Sequence, residues 1–567
     1  MNVSAVSGYT NLVDWTFSGK YDREKPILID ATNTTRFVSK RKAHELVGSL
    51  AGAFAANSTV CLHIPNDVLY PVLVLAILAS NCRWTGTNTA YTAPELEHHF
   101  RVSETDYIIT LPEHLEVVRG AANASGRNIE LILFADLLKR PLELKLSIPQ
   151  HGEEHVRTAD CECNGRGRLE VRKKDSVIAS PLMTDQKMRS LHDLVRDPAK
   201  VDLQGLTKVI SLDSTAALMQ TSGTTGLPKM AMRTHRAMII EQQTIEDNDN
   251  DKPYEVRRLY CTPIFHGFSA PEMLFNVLRL GQTSYFMRRF DSTFAQKVHD
   301  LNITETFGAP PMMLMLVNQP GAGKLLQSLR MISFGGAPLA SELRRKTLDL
   351  FETKPRIVPV YGMTEGGWFT TLKYPEDDST GSVGRPIPGY EVKVIPQENT
   401  ELNNGQPVGE IFVRGSQVMT GYLNNPKETA GAFEDGWLKT GDIGYLRDGK
   451  VYLVDRAKDL VKVNGWQVAP AELENALLEY PGVLDAAVLG VGQGVDEHPL
   501  ACVVIGNLTA TPEMIKVHLR GRLTGYKVSR CEVRFVQAIP KNPAGKILRR
   551  VLREEVLGAN AAVIASW

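Results

Sequence analysis

Thr221-Ser222-Gly223-Thr224-Thr225-Gly226-Leu227-Pro228-Lys229 concentrates the most legible chemistry in this 567-residue chain. Gly223 and Gly226 let the backbone turn tightly, so that amide N–H groups can converge on phosphate oxygens. Thr221, Ser222, Thr224 and Thr225 add hydroxyl donors, and Lys229 adds positive charge. The loop is not of Walker type, because Lys229 follows a proline and Met230 stands where Ser or Thr would bind magnesium. An ordinary Ser/Thr/Gly surface loop has the same composition, so these residues alone leave both readings open.

Other reactive side chains are ambiguous by themselves. Lys546, in Pro540-Lys541-Asn542-Pro543-Ala544-Gly545-Lys546, reads in isolation as a solvated lysine, and His266, in Pro263-Ile264-Phe265-His266-Gly267-Phe268, as a core histidine bonded to backbone. His151, His155, Cys161 and Cys163 match no common zinc spacing and read as a chance cluster. Trp437 and Trp466 are expected to pack in the core. His235, just after the loop, is expected near its rear and carries no assigned role.

The elements that must position these groups form at least two domains at this length. Ala216-Ala217-Leu218-Met219-Gln220 is a strand delivering the loop, and Thr59 to Ile64 followed by Tyr70 to Ala79 reads as a buried strand and helix. Residues 150–205 are polar and weakly periodic, a surface excursion between two α/β lobes. From 381 to 455 short strands such as Tyr390 to Ile395 and Gly409 to Gly415 indicate a β-rich subdomain. Beyond Asp455 an α+β pattern begins: helices at Ala469 to Glu479 and Thr511 to Leu523, strands at Ala486 to Leu489 and Ala501 to Ile505. The expected fold is α/β: a large N-terminal domain of two α/β lobes and a β-rich subdomain, residues 1–455, then a small mobile α+β domain, residues 459–567.

Lys plus Arg equals Asp plus Glu at 64 each, and no basic stripe marks a nucleic-acid face. Seven scattered cysteines are not a disulfide framework and suit a reducing interior. Leu69 to Ala79 is too short to span a bilayer, no basic segment leads into an apolar run near the N-terminus, and the final residues are not a peroxisomal Ser-Lys-Leu address; a cytoplasmic location is expected.

The phosphate loop resembles that of the adenylate-forming superfamily, which includes acyl-CoA and aryl-CoA synthetases, non-ribosomal adenylation domains and firefly luciferase. It departs at Met230, where that superfamily usually has glycine, so a local packing change is expected. Gly335-Gly336-Ala337-Pro338-Leu339, Tyr361-Gly362-Met363-Thr364-Glu365, Gly436 to Asp442, Asp455 to Asp459 and Pro540 to Lys546 follow in the family's order. The overall run, especially residues 12–100, looks like fungal acyl-CoA ligases of the 4-coumarate–CoA ligase type, several of which serve secondary metabolism.

The resemblance implies roles. Tyr361 would stack on adenine, with Gly362 and Thr364 beside it; Gly335, Gly336 and Ala337 would lie along the adenine and border the acyl pocket. Asp442 would bond the ribose hydroxyls, Arg456 would belong to the hinge segment, and Glu365 with Thr224 would hold Mg2+. Lys546 would bridge carboxylate and α-phosphate during adenylation. The C-terminal domain would then rotate about Lys458 and bring Lys462, Gly465 and Gln467 to the thiol step, although Asn464 replaces a frequent lysine between them. His266 would sit at the mouth of an acid pocket lined by Phe268, Gly308 and Gly335. Amino-acid-activating relatives carry an aspartate near here; Cys261 to Ala270 contains no acid, and a buried unpaired ammonium costs several kcal/mol. The substrate is therefore expected to be an aromatic or aliphatic carboxylic acid without an α-amino group, used with ATP, Mg2+ and CoA. A carrier protein's phosphopantetheine thiol is the alternative acceptor. A nucleotide-dependent binding module would have no need to keep Lys546, Glu365, Asp442 and Arg456 together, and nothing in the chain requires luciferase-like oxygen chemistry.

Overall fold

A computed structural model describes residues 8–139, 188–197, 202–221, 228–247, 249–337, 339–396, 406–457, 459–463, 466–492, 497–506, 510–523, 525–542 and 545–558. Two sheets dominate the first 390 residues. The first has seven strands in the order Arg189–Ser190, Glu130–Leu133, Thr105–Thr110, Thr59–His63, Arg83–Gly86, Thr215–Gln220 and Met230–Thr234, parallel except for the last. The second has nine: Arg385–Pro386, Gly367–Thr371, Arg356–Met363, Met331–Phe334, Glu305–Gly308, Arg257–Tyr260, Thr283–Phe286, Pro26–Asp30 and Phe37–Ser39, parallel from Arg356–Met363 through Pro26–Asp30.

The helix Tyr70–Ala79 shows why both sheets are covered. Every one of its residues is buried, and an all-round apolar helix has no solvent face. Pro71 is tolerated because its missing N–H falls in the first turn. One core cluster joins this helix to Ile27 and Leu28 of the second sheet and to Val60, Leu62 and Ala217 of the first.

A five-stranded antiparallel sheet follows, built from Tyr390–Pro396, Gly409–Gly415, Trp437–Arg447, Phe433–Glu434 and Lys450–Arg456. Two further core clusters are drawn wholly from residues beyond 460. They pack the helices Pro470–Leu478, Pro512–Arg520 and Arg549–Leu557 on a three-stranded sheet, beside the hairpin Val461–Val463 and Trp466–Val468. The architecture is thus α/β with a large N-terminal part and a smaller α+β C-terminal part.

Part of the expected excursion belongs to the fold. Arg189–Ser190 extends the first sheet and the turn of helix Leu191–Leu194 buries both leucines. Arg189, Asp193 and Arg196 hide that short apolar pair from a periodicity count. The two candidate histidines and two cysteines of a zinc site lie outside the described residues. Among the described residues no cluster of three or more His, Cys, Asp or Glu could hold a metal, and no helix is long and apolar enough to cross a membrane.

Candidate active site

Four of the singled-out segments leave the C-terminal ends of four neighbouring parallel strands. Thr364 and Glu365 follow Arg356–Met363, Gly335 to Ala337 follow Met331–Phe334, Ala309 to Pro311 follow Glu305–Gly308, and His266 to Phe268 follow Arg257–Tyr260. Parallel strands end on one side of a sheet, so segments distant in sequence form one line there.

The phosphate loop leaves a closed neck. Gln220 and Met230 are partners in the antiparallel pair, the Thr221 N–H donates to the Lys229 carbonyl at 2.8 Å, and the Lys229 N–H donates to Thr221 Oγ1 at 3.2 Å. Met230 is buried at the start of its strand. Lys229 Nζ lies 2.6 Å from the Glu428 carboxylate and 4.6 Å from the centre of the Tyr422 ring. The Tyr422 hydroxyl donates to Glu365 Oε1 at 2.7 Å. Tyr422 and Glu428 escaped the sequence reading because a lone bridge between Ala231 and Tyr422 brings them to the loop. Ser222, Gly223, Thr224, Thr225 and Gly226 lie outside the described residues.

Tyr361, Asp442 and Arg456 converge. Asp442 and Arg456 are direct partners in the ladder between Trp437–Arg447 and Lys450–Arg456, and their side chains pair at 3.1 Å. The buried Tyr361 hydroxyl donates to the other Asp442 oxygen at 2.8 Å. Burial, then the Asp442 charge, holds the phenol well above its ordinary range, so it stays a donor. Behind the turn, the Thr364 carbonyl faces Arg233, whose guanidinium pairs with Glu241 at 3.0 Å with both side chains sealed from solvent. Glu241 also accepts from the Trp368 N–H at 3.1 Å. At Gly362 an added Cβ would fall 2.0 Å from the Gly367 carbonyl oxygen, so only glycine permits that approach.

Next to His266, Phe268 stacks on Trp368 with ring centres 6.1 Å apart and lies 5.7 Å from Phe307. The Trp368 indole N–H donates to the Phe268 carbonyl at 3.1 Å. Gly335 presses on the same ring: a Cβ there would sit 2.4 Å from it. Gly308 meets Met313, while Gly336 bends at φ +86° and Ala337 is half-buried. The His266 Nδ1 accepts from the Phe268 N–H at 3.3 Å. Burial, with the Lys546 ammonium adding to it, lowers His266 to about 4, so the ring is neutral near pH 7.

Lys546 comes from the other end of the chain. Its N–H donates to Asn542 Oδ1 and its carbonyl accepts from the Asn542 N–H, both at 2.9 Å. Gly545, at φ +82°, presses on Pro311, where a Cβ would come within 2.4 Å. Neighbouring Lys541 instead points home, pairing with Asp485 at 2.7 Å.

Lys462 and Gln467 are backbone register partners across the hairpin Val461–Val463 and Trp466–Val468. Lys458 and Gly465 lie outside the described residues. His235 is buried and its Nδ1 accepts from the Leu12 N–H at 3.3 Å, which ties the first helix to the helix His235–Ile245. Trp437 is not a core residue: its half-buried ring lies 4.4 Å from Lys393 Nζ and 4.5 Å from the Arg414 guanidinium, cations on the two strands that lie to one side of its own in the sheet.

Residues 17–423 match the AMP-binding enzyme family and residues 472–546 match the AMP-binding enzyme C-terminal domain. An acyl-CoA ligase of Phoma sp. is 47% identical over 551 residues, 96% of each chain. A phenylacetyl-CoA ligase of Aspergillus niger is 36% identical, again across 96% of each. Among solved structures, ATP-bound MatB from Rhodopseudomonas palustris superposes with a TM-score of 0.77 at 26% identity, covering 97% of this chain and 99% of that one.

Proposed function

Since the chain belongs to the AMP-binding enzyme family, we propose that it joins a carboxylic acid to the thiol of CoA at the expense of ATP, through an acyl-adenylate. The observation that carries this reading is the approach of the Lys546 loop to Pro311 and His266, in a chain that also joins Tyr361, Asp442 and Arg456 in one cluster. A carboxylate oxygen attacks the α-phosphorus, the bond to the β-phosphate breaks, and pyrophosphate leaves. Two anions meet in that step, and preorganised positive charge is the largest lever a protein has against their repulsion. Lys546 supplies it between acid and α-phosphate, and Lys229 supplies it to the leaving phosphates. Asp442 takes the ribose hydroxyls and Tyr361 the adenine face.

The residues fit a magnesium ion. Glu365 is buried, one of its oxygens is engaged by Tyr422, and the other has no protein donor among the described residues. Mg2+ takes one or two carboxylates plus phosphate oxygens, and bound there it would neutralise phosphate charge and orient the leaving group.

In the second step the thiol attacks the acyl carbonyl and AMP leaves. Residues 459–567 pivot at Lys458 against residues 1–455, exchanging the Lys546 loop for the hairpin that carries Lys462, Gly465 and Gln467. The acid lacks an α-amino group, because Cys261 to Ala270 offers no carboxylate to pair it. The aromatic wall of Phe268, Trp368 and Phe307 suits an aryl or modest aliphatic acid. Buried, unbridged thiols at the five described cysteines fit a reducing, cytoplasmic setting.

The test is mass spectrometry of full-length protein given ATP, magnesium, CoA and a pool of aryl, short-, medium- and long-chain acids. A new acyl-CoA mass is expected. AMP and pyrophosphate without any CoA adduct would replace CoA by a carrier-protein thiol, and no nucleotide turnover with any acid would refute the ligase reading.

A further inference from the structure

We propose that His98 and His99, adjacent on the helix Ala93–Val102, are positioning residues that clamp the two feet of the phosphate loop. The inference rests on the nucleotide reading of that loop and adds to it what holds the loop in place. The helix is itself well fixed: Thr92 and Glu95 cap its start reciprocally, and Leu96 and Phe100 are buried in a core cluster with Ile108 and Val118.

His98 holds the exit foot. Its Nε2 lies 2.9 Å from the Pro228 carbonyl oxygen. A carbonyl only accepts, so His98 carries its proton on Nε2 and donates it. The other edge of the same peptide unit is the Lys229 N–H, which donates to Thr221 Oγ1 at 3.2 Å. The peptide plane between Pro228 and Lys229 is therefore gripped on both sides, which fixes the direction in which the Lys229 side chain leaves the loop. The His98 Nδ1 is buried without a protein partner, so the Pro228 bond is the one hydrogen bond of this imidazole among the described residues.

His99 holds the entry foot. It is wholly buried, with Nδ1 2.9 Å from the Gln220 side-chain amide and Nε2 3.1 Å from Thr85 Oγ1. The Thr85 hydroxyl proton is committed to the Leu218 carbonyl at 2.7 Å. Thr85 can thus only accept from His99, so His99 carries its proton on Nε2 and its Nδ1 is an acceptor. An acceptor Nδ1 calls for the NH2 of the Gln220 amide at the position that Oε1 holds, and the Tyr91 hydroxyl, 3.4 Å from that atom, then accepts the second N–H instead of donating to it. Burial, lowering His99 to about 4, keeps this single-proton arrangement intact at neutral pH. One helix therefore holds both Gln220 and Pro228, which flank the proposed phosphate segment, and loss of either contact loosens the placement of Thr221 and Lys229 toward nucleotide.

The test measures KM for ATP, KM for the acid, kcat and Tm for full-length His98→Ala, His98→Gln and Lys229→Ala. Loss of one hydrogen bond at the loop foot raises the ATP KM of His98→Ala roughly five- to tenfold, with kcat at saturating ATP and the acid KM within about twofold of the parent. His98→Gln, which keeps a side-chain N–H, recovers most of that ATP KM. A fall in Tm and kcat with an unchanged ATP KM would mean that His98 only packs, and overturns the clamp. An unchanged ATP KM in the histidine variants, beside a raised one in Lys229→Ala, overturns the clamp and leaves the loop assignment standing. An unchanged ATP KM in all three removes the nucleotide reading of the loop and the clamp with it.

Discussion

Replacing Lys546 by alanine separates the two half-reactions, and the size of the effect follows from charge. Unit negative charges at about 4 Å repel by about 4 kcal/mol at an effective dielectric near 20. If the Lys546 ammonium offsets that repulsion as the carboxylate approaches the α-phosphate, its loss slows adenylation by about a thousandfold, at about 1.36 kcal/mol per decade. The assay is acid-dependent exchange of labelled pyrophosphate into ATP for adenylation, and thioester release from a synthetic acyl-adenylate plus CoA for the second step. Exchange is expected to collapse while thioester release stays within about threefold. The structure supplies its own control five positions earlier: Lys541 is tied to Asp485 inside the C-terminal part, so Lys541→Ala leaves exchange nearly unchanged. Equal losses in Lys541→Ala and Lys546→Ala, or equal loss of both half-reactions in Lys546→Ala, would refute the reasoning.

Gly335→Ala places a methyl 2.4 Å from the Phe268 ring, which Trp368 and Phe307 hold in place; the overpacking of about 1–3 kcal/mol should raise KM for the acid far more than KM for ATP, as steady-state kinetics with each substrate varied will show. Glu241→Ala leaves Arg233 as a buried, uncompensated cation and should destabilise the fold by about 3–5 kcal/mol in urea unfolding; a cost under about 1 kcal/mol would mean that water reaches the pair. Stability should also fall with acidity. His99, His235 and His266 are held near 4 by burial and His63 near 3, against an ordinary value of 6.5. Between those values the unfolded chain binds more protons, so the stability these neutral rings confer is present above about 6.5 and is lost as pH falls toward 4. The urea midpoint should drop across that window, and His235→Gln should flatten the drop; an identical slope in the variant would contradict it.

Short motifs were legible because each works through its own backbone. Gly362 must be glycine to let Gly367 approach, and the Tyr361 to Glu365 turn therefore has a local signature. The helix Tyr70–Ala79 announced itself by an unbroken apolar run, and the strands Tyr390–Pro396 and Gly409–Gly415 by short β-branched and aromatic runs between turn residues. What escaped depends on partners far along the chain. Tyr422 matters because it sits between Lys229 and Glu365, and Trp368 because it backs Phe268; neither has a spacing that says so. His98 and His99 carry no local signature, since their targets, Pro228 and Gln220, lie more than a hundred residues further along the chain. Trp437 was misjudged for the converse reason: large aromatic size suggested a core, but cations from two neighbouring strands cover it.

The ladder that pairs Asp442 with Arg456 runs on without slack, since the Ala457 N–H still donates to the Gly441 carbonyl at 2.9 Å. The chain thus leaves Asp442 as a beam clamped at its root. Past Ala457 the backbone still returns to this strand, the Asp459 and Leu460 N–H groups donating to the Arg456 carbonyl and the Ala471 N–H to the Asp455 carboxylate, so torque from the C-terminal part reaches the strand at Asp455 and Arg456 together. If Asp442 holds the ribose as proposed, nucleotide and the C-terminal part load the same strand, and stiffening one should stiffen the other.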